Sequence, residues 1–322
     1  MDSATQAAYV GPRCESQTFQ KMAAFLEAFV KPERKGKLQA KDLNHYRDTY
    51  VHRSDDMFQV YRLLCPYADN HRGNYQLKEA ALMRKVLSAA GVTEGSPHYV
   101  ACMNWRTHSR SKDLGNFVQT LHTEIFVNFC ESKLVSTLTL GELNAKLDEL
   151  VAAASERKAP CATAAVRGGG RGRGRGGGRG DEDPQVTILR WLMQSCSATQ
   201  MKWITRIILK TEMKLGRGIE YFLTDLHPDG AELYKTINDL ATVCEQLRDR
   251  EKRIVKSGLQ LGFLASPQLA AMSSGPDDAF NRMPKGRGFV MECKFDGERV
   301  QLHKQGDRVC YFSRRGHDHG PK

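Results

Sequence analysis

Apolar residues in the first half of the chain recur every three or four positions, which is the spacing of one face of an α-helix. A first run occupies 19–30, and three further runs, at 57–65, 75–91 and 116–130, keep this spacing. None of them alternates every second residue as a half-buried strand does, so the pattern predicts a helical N-terminal region. The first run places its apolar residues at Phe19, Met22, Ala23, Leu26, Phe29 and Val30.

Two helix starts are marked by their polar residues. Thr139 and Glu142 have the spacing of a capping box, in which each side chain bonds the other residue's backbone amide. The leucines at 140, 143, 147 and 150 then fall on one side of the predicted helix 139–151. Farther along, Asp183 is suited to cap a helix whose first position is Pro184.

Between these two starts the apolar periodicity disappears. Residues 152–180 consist largely of Ala, Ser, Arg and Gly, and RGGGRGRGRGGGRG occupies 167–180. Because such a composition offers nothing to bury, we expect 152–183 to be a disordered insert. Arginine-glycine repeats also bind nucleic acid, so one hypothesis is a non-catalytic nucleic-acid-binding protein.

Basic residues follow the insert at helical spacing. In the predicted helix 199–213, the isoleucines at 204, 207 and 208 mark the buried side. A basic stripe lies on the other side of this helix and consists of Lys202, Arg206, Lys210 and Lys214. Like charges in one stripe repel each other, so this stripe predicts an anionic partner along it. Helical periodicity continues to about 247, and Trp191 and Trp203 fall on apolar stripes, which predicts core positions for both.

The periodicity changes after Gly258. Residues 289–304, FVMECKFDGERVQLHK, alternate between two faces and lead through Gln305, Gly306 and Asp307 into RVCYFSRR. This pattern predicts a β-hairpin with a short loop. The sequence therefore predicts an all-helical region, 1–257, followed by the start of an α+β unit, 258–322, which we expect to be truncated.

Composition narrows the class of protein. The formal net charge is +11, with five arginines in 167–180, and this excess favours a polyanionic partner. The nine cysteines include no Cys-x-x-Cys pair, which predicts reduced thiols rather than a zinc site or a disulfide framework. No signal peptide or membrane-length apolar segment is present, so we expect a soluble intracellular protein. Solvation is the favoured interpretation of His317 and His319, so we predict no metal site in this chain.

One short segment could carry covalent chemistry. Alternation places Glu292, Lys294 and Asp296 on one face of the predicted strand. These residues could form an ordinary solvated strand face. Alternatively, Lys294 is a nucleophile, which requires its amine to be neutral, and nearby positive charge such as that of Arg299 favours that form.

This segment resembles a known signature. KFDGER at 294–299 matches the K-x-D-G-x-R motif of the covalent nucleotidyltransferases, namely ATP-dependent DNA ligases, RNA ligases and messenger-RNA capping enzymes. FSRRG at 312–316 is similar to the F-S-R-N-G element of DNA ligases, although Arg315 replaces the asparagine. Segments 200–216 and 229–247 resemble the DNA ligase IV branch. SPQLA at 266–270 departs from the usual K-P-M-L-A.

The resemblance implies a nucleotide site. Lys294 would be the adenylated nucleophile and Glu292 would accept from the adenine amino group. Cys293 and Phe295 would border the nucleotide. The resemblance also places Arg299 on its phosphate or ribose side and Arg314 near the same site.

The resemblance also implies a substrate, a metal and partners. We expect ATP-dependent joining of DNA ends or nicks in double-strand break repair by non-homologous end joining, in the nucleus, with the basic stripe on DNA phosphates. Mg²⁺ would offset phosphate charge, with its ligands outside this chain. A coiled-coil scaffold protein is expected to bind a C-terminal region absent from the chain, and no membrane is expected as a partner. An RNA ligase or capping enzyme remains an alternative.

Overall fold

The described part of the chain is largely helical. The computed structural model describes residues 16–30, 44–51, 56–108, 113–130, 137–156, 182–210, 213, 215–254, 261–265, 270–283, 286, 288–293 and 295–313. Its helices are α1 Phe19–Phe29, α2 Met57–Leu64, α3 Glu79–Ala89, α4 Pro97–Met103, α5 Trp105–His108, α6 Leu114–Cys130, α7 Leu140–Glu156, α8 Pro184–Ser195, α9 Ala198–Ile208, α10 Ile219–Leu226, α11 Gly230–Ile237, α12 Leu240–Gln246 and α13 Pro276–Arg282. A π-helical turn, Arg47–Val51, and a 3₁₀ turn, Pro66–Ala68, lie between α1 and α3.

The helices predicted from apolar spacing are confirmed within the described residues. The four leucines of α7 are fully buried, as are Phe19, Met22, Leu26 and Phe29 of α1. Thr139 and Glu142 form the expected capping box: the Glu142 carboxylate accepts from the Thr139 amide at 2.9 Å, and the Thr139 hydroxyl accepts from the Glu142 amide at 3.2 Å. The side chain of Asp183 accepts from the amide of Gln185 at 3.0 Å and caps α8 as expected.

The boundary predicted for the insert is wrong at its start. Helix α7 continues to Glu156, so residues 152–156 belong to the helix. Ala153 and Ala154 are buried there, and alanine is the residue with the highest helix propensity. The rest of the predicted insert, 157–181, lies outside the described residues.

Helix α9 also differs from its prediction. It begins in a capping box between Ser197 and Gln200 but ends at Ile208 rather than at 213. Two residues later, Lys210 has a φ of 49°, in the left-handed region that ends a helix. The predicted continuation of helices to about 247 is confirmed by α10, α11 and α12.

One apolar core joins the helices from α1 to α12, and Trp203 is fully buried in it. The core prediction is wrong for Trp191, which is 38% exposed, with the Lys146 ammonium 5.2 Å from its ring centroid. The α6–α9 contact requires a glycine, because a Cβ at Gly115 would lie 2.8 Å from the Lys202 carbonyl oxygen.

The predicted hairpin is present but shorter than expected. Strands β1 (Val300–Gln305) and β2 (Arg308–Ser313) pair antiparallel, with Val300 opposite Ser313 and Gln305 opposite Arg308. Gly306 takes a φ of 59° in the turn. The predicted strand over 289–299 is wrong, because the register of β1 and β2 begins only at Val300 and the described residues before it have no strand partner. In the described ranges, no helix is long and apolar enough to cross a membrane.

Candidate functional site

The segment carrying the nucleotidyltransferase signature is open to solvent. Glu292, Cys293, Phe295 and Arg299 are all exposed, and Phe295 is 91% exposed. Lys294 and Arg314 lie outside the described residues. A carboxylate, an aromatic ring and a guanidinium are groups that suit an adenine nucleotide. However, the described residues do not bring them together into a closed pocket, so their roles stay predictions.

Residues 261–265 attach to strand β1 through its side chains. The ring nitrogen Nδ1 of His303 accepts from the Gly262 amide at 3.0 Å. The Gln301 side-chain amide donates to the Ala265 carbonyl at 2.6 Å and accepts from the Ala265 amide at 3.2 Å. These bonds hold the hairpin and 261–265 as one local unit, called here the hairpin unit.

The predicted basic stripe is not a free surface. Lys202 is 7% exposed and its ammonium bonds Glu27 of α1 at 2.6 Å. Arg206 is 2% exposed and its guanidinium bonds Asp113, at the start of α6, at 3.1 Å. Both cations also lie over the ring of Trp203, at 5.2 and 4.5 Å from its centroid. The prediction that these charges need an outside anion is therefore wrong.

Lys210 is also turned inward. Its Nζ donates to the carbonyl oxygens of Arg72 at 2.8 Å and Asp69 at 3.4 Å. Desolvation by burial lowers the pKa of Lys210, the Asp69 carboxylate opposes that shift, and the Arg72 and Arg62 guanidinium groups add to it. Lys214 lies outside the described residues. The three described cations thus tie α9 to α1, to α6 and to the 69–72 loop.

An ion network that is buried except at Asp148 holds that loop in place. Arg62 on α2 bonds Asp69 at 2.8 Å and Asp148 on α7 at 2.9 Å. Arg72 also bonds Asp148, at 2.8 Å, and donates to the side-chain oxygen of Asn144 at 2.8 Å. No local pattern in the sequence predicts this network, since its members are separated by up to 86 residues.

A loop before α10 offers an exposed cation that the sequence reading missed. Gly216 and Gly218 flank Arg217, and all three residues are exposed. The guanidinium of Arg217 lies 4.9 Å from the centroid of the Tyr221 ring, which supports it from one side. The loop borders a cavity of about 370 Å³, also lined by Cys65, Tyr67 and Leu215. Unlike Lys202 and Arg206, Arg217 faces solvent.

Comparison with known families assigns both parts of the chain. Residues 16–227 match the family described as DNA ligase N terminus, and residues 267–321 match the ATP dependent DNA ligase domain. The chain belongs to the ATP-dependent DNA ligase family. The first match covers most of the helical region, and the second contains the 294–299 signature and the 312–316 element. The helical N-terminal ligase domain is thus followed by the start of the adenylation domain.

Curated relatives of the ligase chain carry the name DNA ligase 4. The chain is 34% identical to "DNA ligase 4" of Arabidopsis thaliana over 277 residues, which are 85% of this chain and 20% of that protein. It is 33% identical to "Putative DNA ligase 4" of Oryza sativa subsp. japonica over 82% of this chain and 19% of that protein. It is 26% identical to "DNA ligase 4" of Homo sapiens over 94% of this chain and 32% of that protein. The chain therefore spans between about a fifth and a third of the length of these relatives.

Proposed function

We propose that the chain is part of an enzyme that joins the 5′-phosphate and 3′-hydroxyl ends of DNA through AMP bound covalently to Lys294. One observation carries the proposal: the match to the ATP dependent DNA ligase domain, 267–321, contains Lys294 within KFDGER. The names of the relatives support the same class of substrate. ATP, rather than GTP, is the nucleotide that the matched family uses by its description.

The first step transfers the adenylyl group of ATP to the lysine. The neutral Nζ of Lys294 attacks the α-phosphorus of ATP, a P–N bond forms, and the bond to pyrophosphate breaks as the amine loses its proton. An oxygen of the DNA 5′-phosphate then attacks the AMP phosphorus, the P–N bond breaks and the lysine amine regains a proton. Finally the 3′-hydroxyl attacks the 5′-phosphate, loses its proton and displaces AMP, which forms the phosphodiester. Mg²⁺ would offset the charge of the phosphates. Within the ranges that the structure describes, no three His, Cys, Asp or Glu residues are grouped closely enough to hold a metal ion.

The helical region is proposed to hold DNA through backbone phosphates, without reading bases. The exposed guanidinium of Arg217 supports this proposal, since the buried cations of α9 already have protein partners. We also propose that the enzyme acts in the nucleus, in double-strand break repair by non-homologous end joining. A coiled-coil scaffold protein, expected as a partner of the DNA ligase IV branch, belongs to the same proposal.

The proposal is tested with the complete gene product and a nicked duplex. We expect sealing with ATP and Mg²⁺ and none with GTP. Covalent labelling of the protein by GTP without any sealing would instead indicate a capping enzyme. Lys294→Ala should abolish sealing, whereas Lys304→Ala, an exposed lysine of β1, should leave it unchanged. Sealing by Lys294→Ala at the wild-type rate would reject the proposal.

A separate deletion addresses the arginine-glycine segment. Removing 167–180 should lower DNA affinity modestly and leave AMP transfer intact, because the signature lies more than a hundred residues away. Loss of most DNA affinity, combined with no sealing by the undeleted protein, would instead favour a non-catalytic nucleic-acid-binding protein.

A further inference from the structure

Residues 248–254 form a strap that leaves α12 and lies against the corner between α10 and α11. His227 closes α10 and is buried, with 1% of its surface exposed. Its Nε2 lies 3.2 Å from the carbonyl oxygen of Lys252 in the strap. Its Nδ1 accepts from the Asp229 amide at 3.0 Å, so the ring proton sits on Nε2 and is donated to Lys252.

Asp229 binds the strap instead of capping its own helix. It occupies the N-cap position of α11, where an aspartate normally accepts from the first-turn amides, yet its side chain makes no such bond. One carboxylate oxygen accepts from the Ile254 amide at 3.0 Å, and the other binds the Arg253 guanidinium at 2.5 Å. The Ile254 amide is also the first cause of the lowered pKa of Asp229. Because the Asp229 carboxylate bonds the strap and makes no capping hydrogen bond to its own helix, the strap is held by specific contacts.

The corner itself is fixed by a glycine. A Cβ at Gly230 would lie 2.3 Å from the Leu223 carbonyl oxygen, so only glycine allows α10 and α11 to approach this closely. This approach places His227 and Asp229 side by side. At the far end of the strap, Ile254 packs against the helical core.

The strap determines how far the chain can reach from the helical region to the hairpin unit. Only residues 255–260 separate Ile254 from Leu261. Those seven steps along the backbone can span at most roughly 25 Å, whereas release of the strap back to Leu247 would give roughly 50 Å. Holding or releasing seven residues therefore doubles the maximum separation of the two parts.

We propose that His227 and Asp229 form a latch that holds the strap closed and keeps the hairpin unit near the helical region, and that its opening extends the connection. The inference rests on the proposed function for its purpose, because the Lys294 segment precedes β1 of the hairpin unit in the sequence and the helical region is proposed to hold DNA. The latch itself needs neither ATP nor DNA, so it can fail or succeed independently of ligase activity.

Trypsin provides a direct probe because the strap contains four of its cleavage sites, at Arg248, Arg250, Lys252 and Arg253. Limited digestion of the 322-residue chain, with cut positions read by mass spectrometry, measures how often the strap opens. We compare wild type with Asp229→Ala, and use Glu245→Gln as a control carboxylate on exposed α12 surface.

Loss of the charged hydrogen bonds should speed cutting in the strap by about tenfold or more in Asp229→Ala. Glu245→Gln should cut at the wild-type rate, and amide exchange in α9 should be unchanged in both variants, which separates strap release from global unfolding. The radius of gyration from small-angle scattering should rise only in Asp229→Ala. Equal cutting in Asp229→Ala and wild type would overturn the latch, and faster cutting without expansion would overturn its effect on reach.

Discussion

The ion pair between Arg206 of α9 and Asp113 gives a quantitative test of the corrected basic stripe. One Asp113 oxygen accepts from Arg206 Nη2 at 3.1 Å, and the other accepts from the Asn116 amide at 3.0 Å. Asp113→Asn keeps a side chain that caps helices well but removes the charge that Arg206 faces. The substitution therefore isolates the ion pair from the helix cap.

The expected loss follows from burial. The Arg206 side chain is 3% exposed and that of Asp113 is 14% exposed. Breaking a buried pair by removing one partner costs about 3–5 kcal/mol, and the residual exposure of Asp113 favours about 3 kcal/mol. For a helical region of this size, that loss lowers Tm by roughly 6–12 °C.

Denaturant unfolding followed by far-UV circular dichroism measures the free energy of unfolding of Asp113→Asn, Arg206→Met and the double variant. Either substitution alone removes the charge that the other residue pairs with. The double variant should therefore lose less free energy of unfolding than the two single variants added together, with a coupling free energy of about 2 kcal/mol. A loss below about 1 kcal/mol for Asp113→Asn, the range of exposed pairs, would refute this role for Arg206. The same conclusion would follow if Arg206→Met reduced the salt dependence of DNA binding while the protein stayed folded.

Three further substitutions test other parts of the structure. Gly115→Ala should destabilise the fold by about 1–3 kcal/mol, because its Cβ meets the Lys202 carbonyl, whereas Gly275→Ala meets nothing within 4 Å and serves as the control in thermal melts. Burial lowers the pKa of His122, and the hydrogen bond to the Met193 carbonyl opposes that shift. The contribution of His122 to stability is therefore complete above the ordinary histidine pKa and is lost as pH falls through the lower folded-state pKa. His122→Gln should flatten that acid-side loss in pH-dependent unfolding. Arg217→Ala should reduce the slope of log affinity for DNA against log salt by about one, and an unchanged slope would remove Arg217 from the DNA surface.

Local periodicity predicted most of the helical fold because burial repeats along the chain itself. The leucines of α7 and the Thr139–Glu142 capping box needed only neighbours within a few residues. Where a distant residue decided the outcome, the sequence reading was wrong. Lys202 pairs with Glu27, 175 residues away, so its spacing looked like a free basic stripe although the side chain is buried.

The candidate site shows the same division. KFDGER could be recognised from adjacent residues, and the family match to 267–321 agrees with it. The strand expected over 289–299 depended on alternation alone, and alternation does not provide a pairing partner. The strap had no periodic signal, because it depends on the Asp229 carboxylate reaching Ile254, 25 residues later.

The most direct test of the central claim is the position of the AMP adduct. The complete gene product is incubated with α-labelled ATP and Mg²⁺, digested, and analysed by mass spectrometry for a peptide carrying AMP. The account predicts one labelled peptide, containing Lys294, that disappears in Lys294→Ala and persists in Lys304→Ala. AMP on another lysine, or equal labelling of Lys294→Ala, would contradict it.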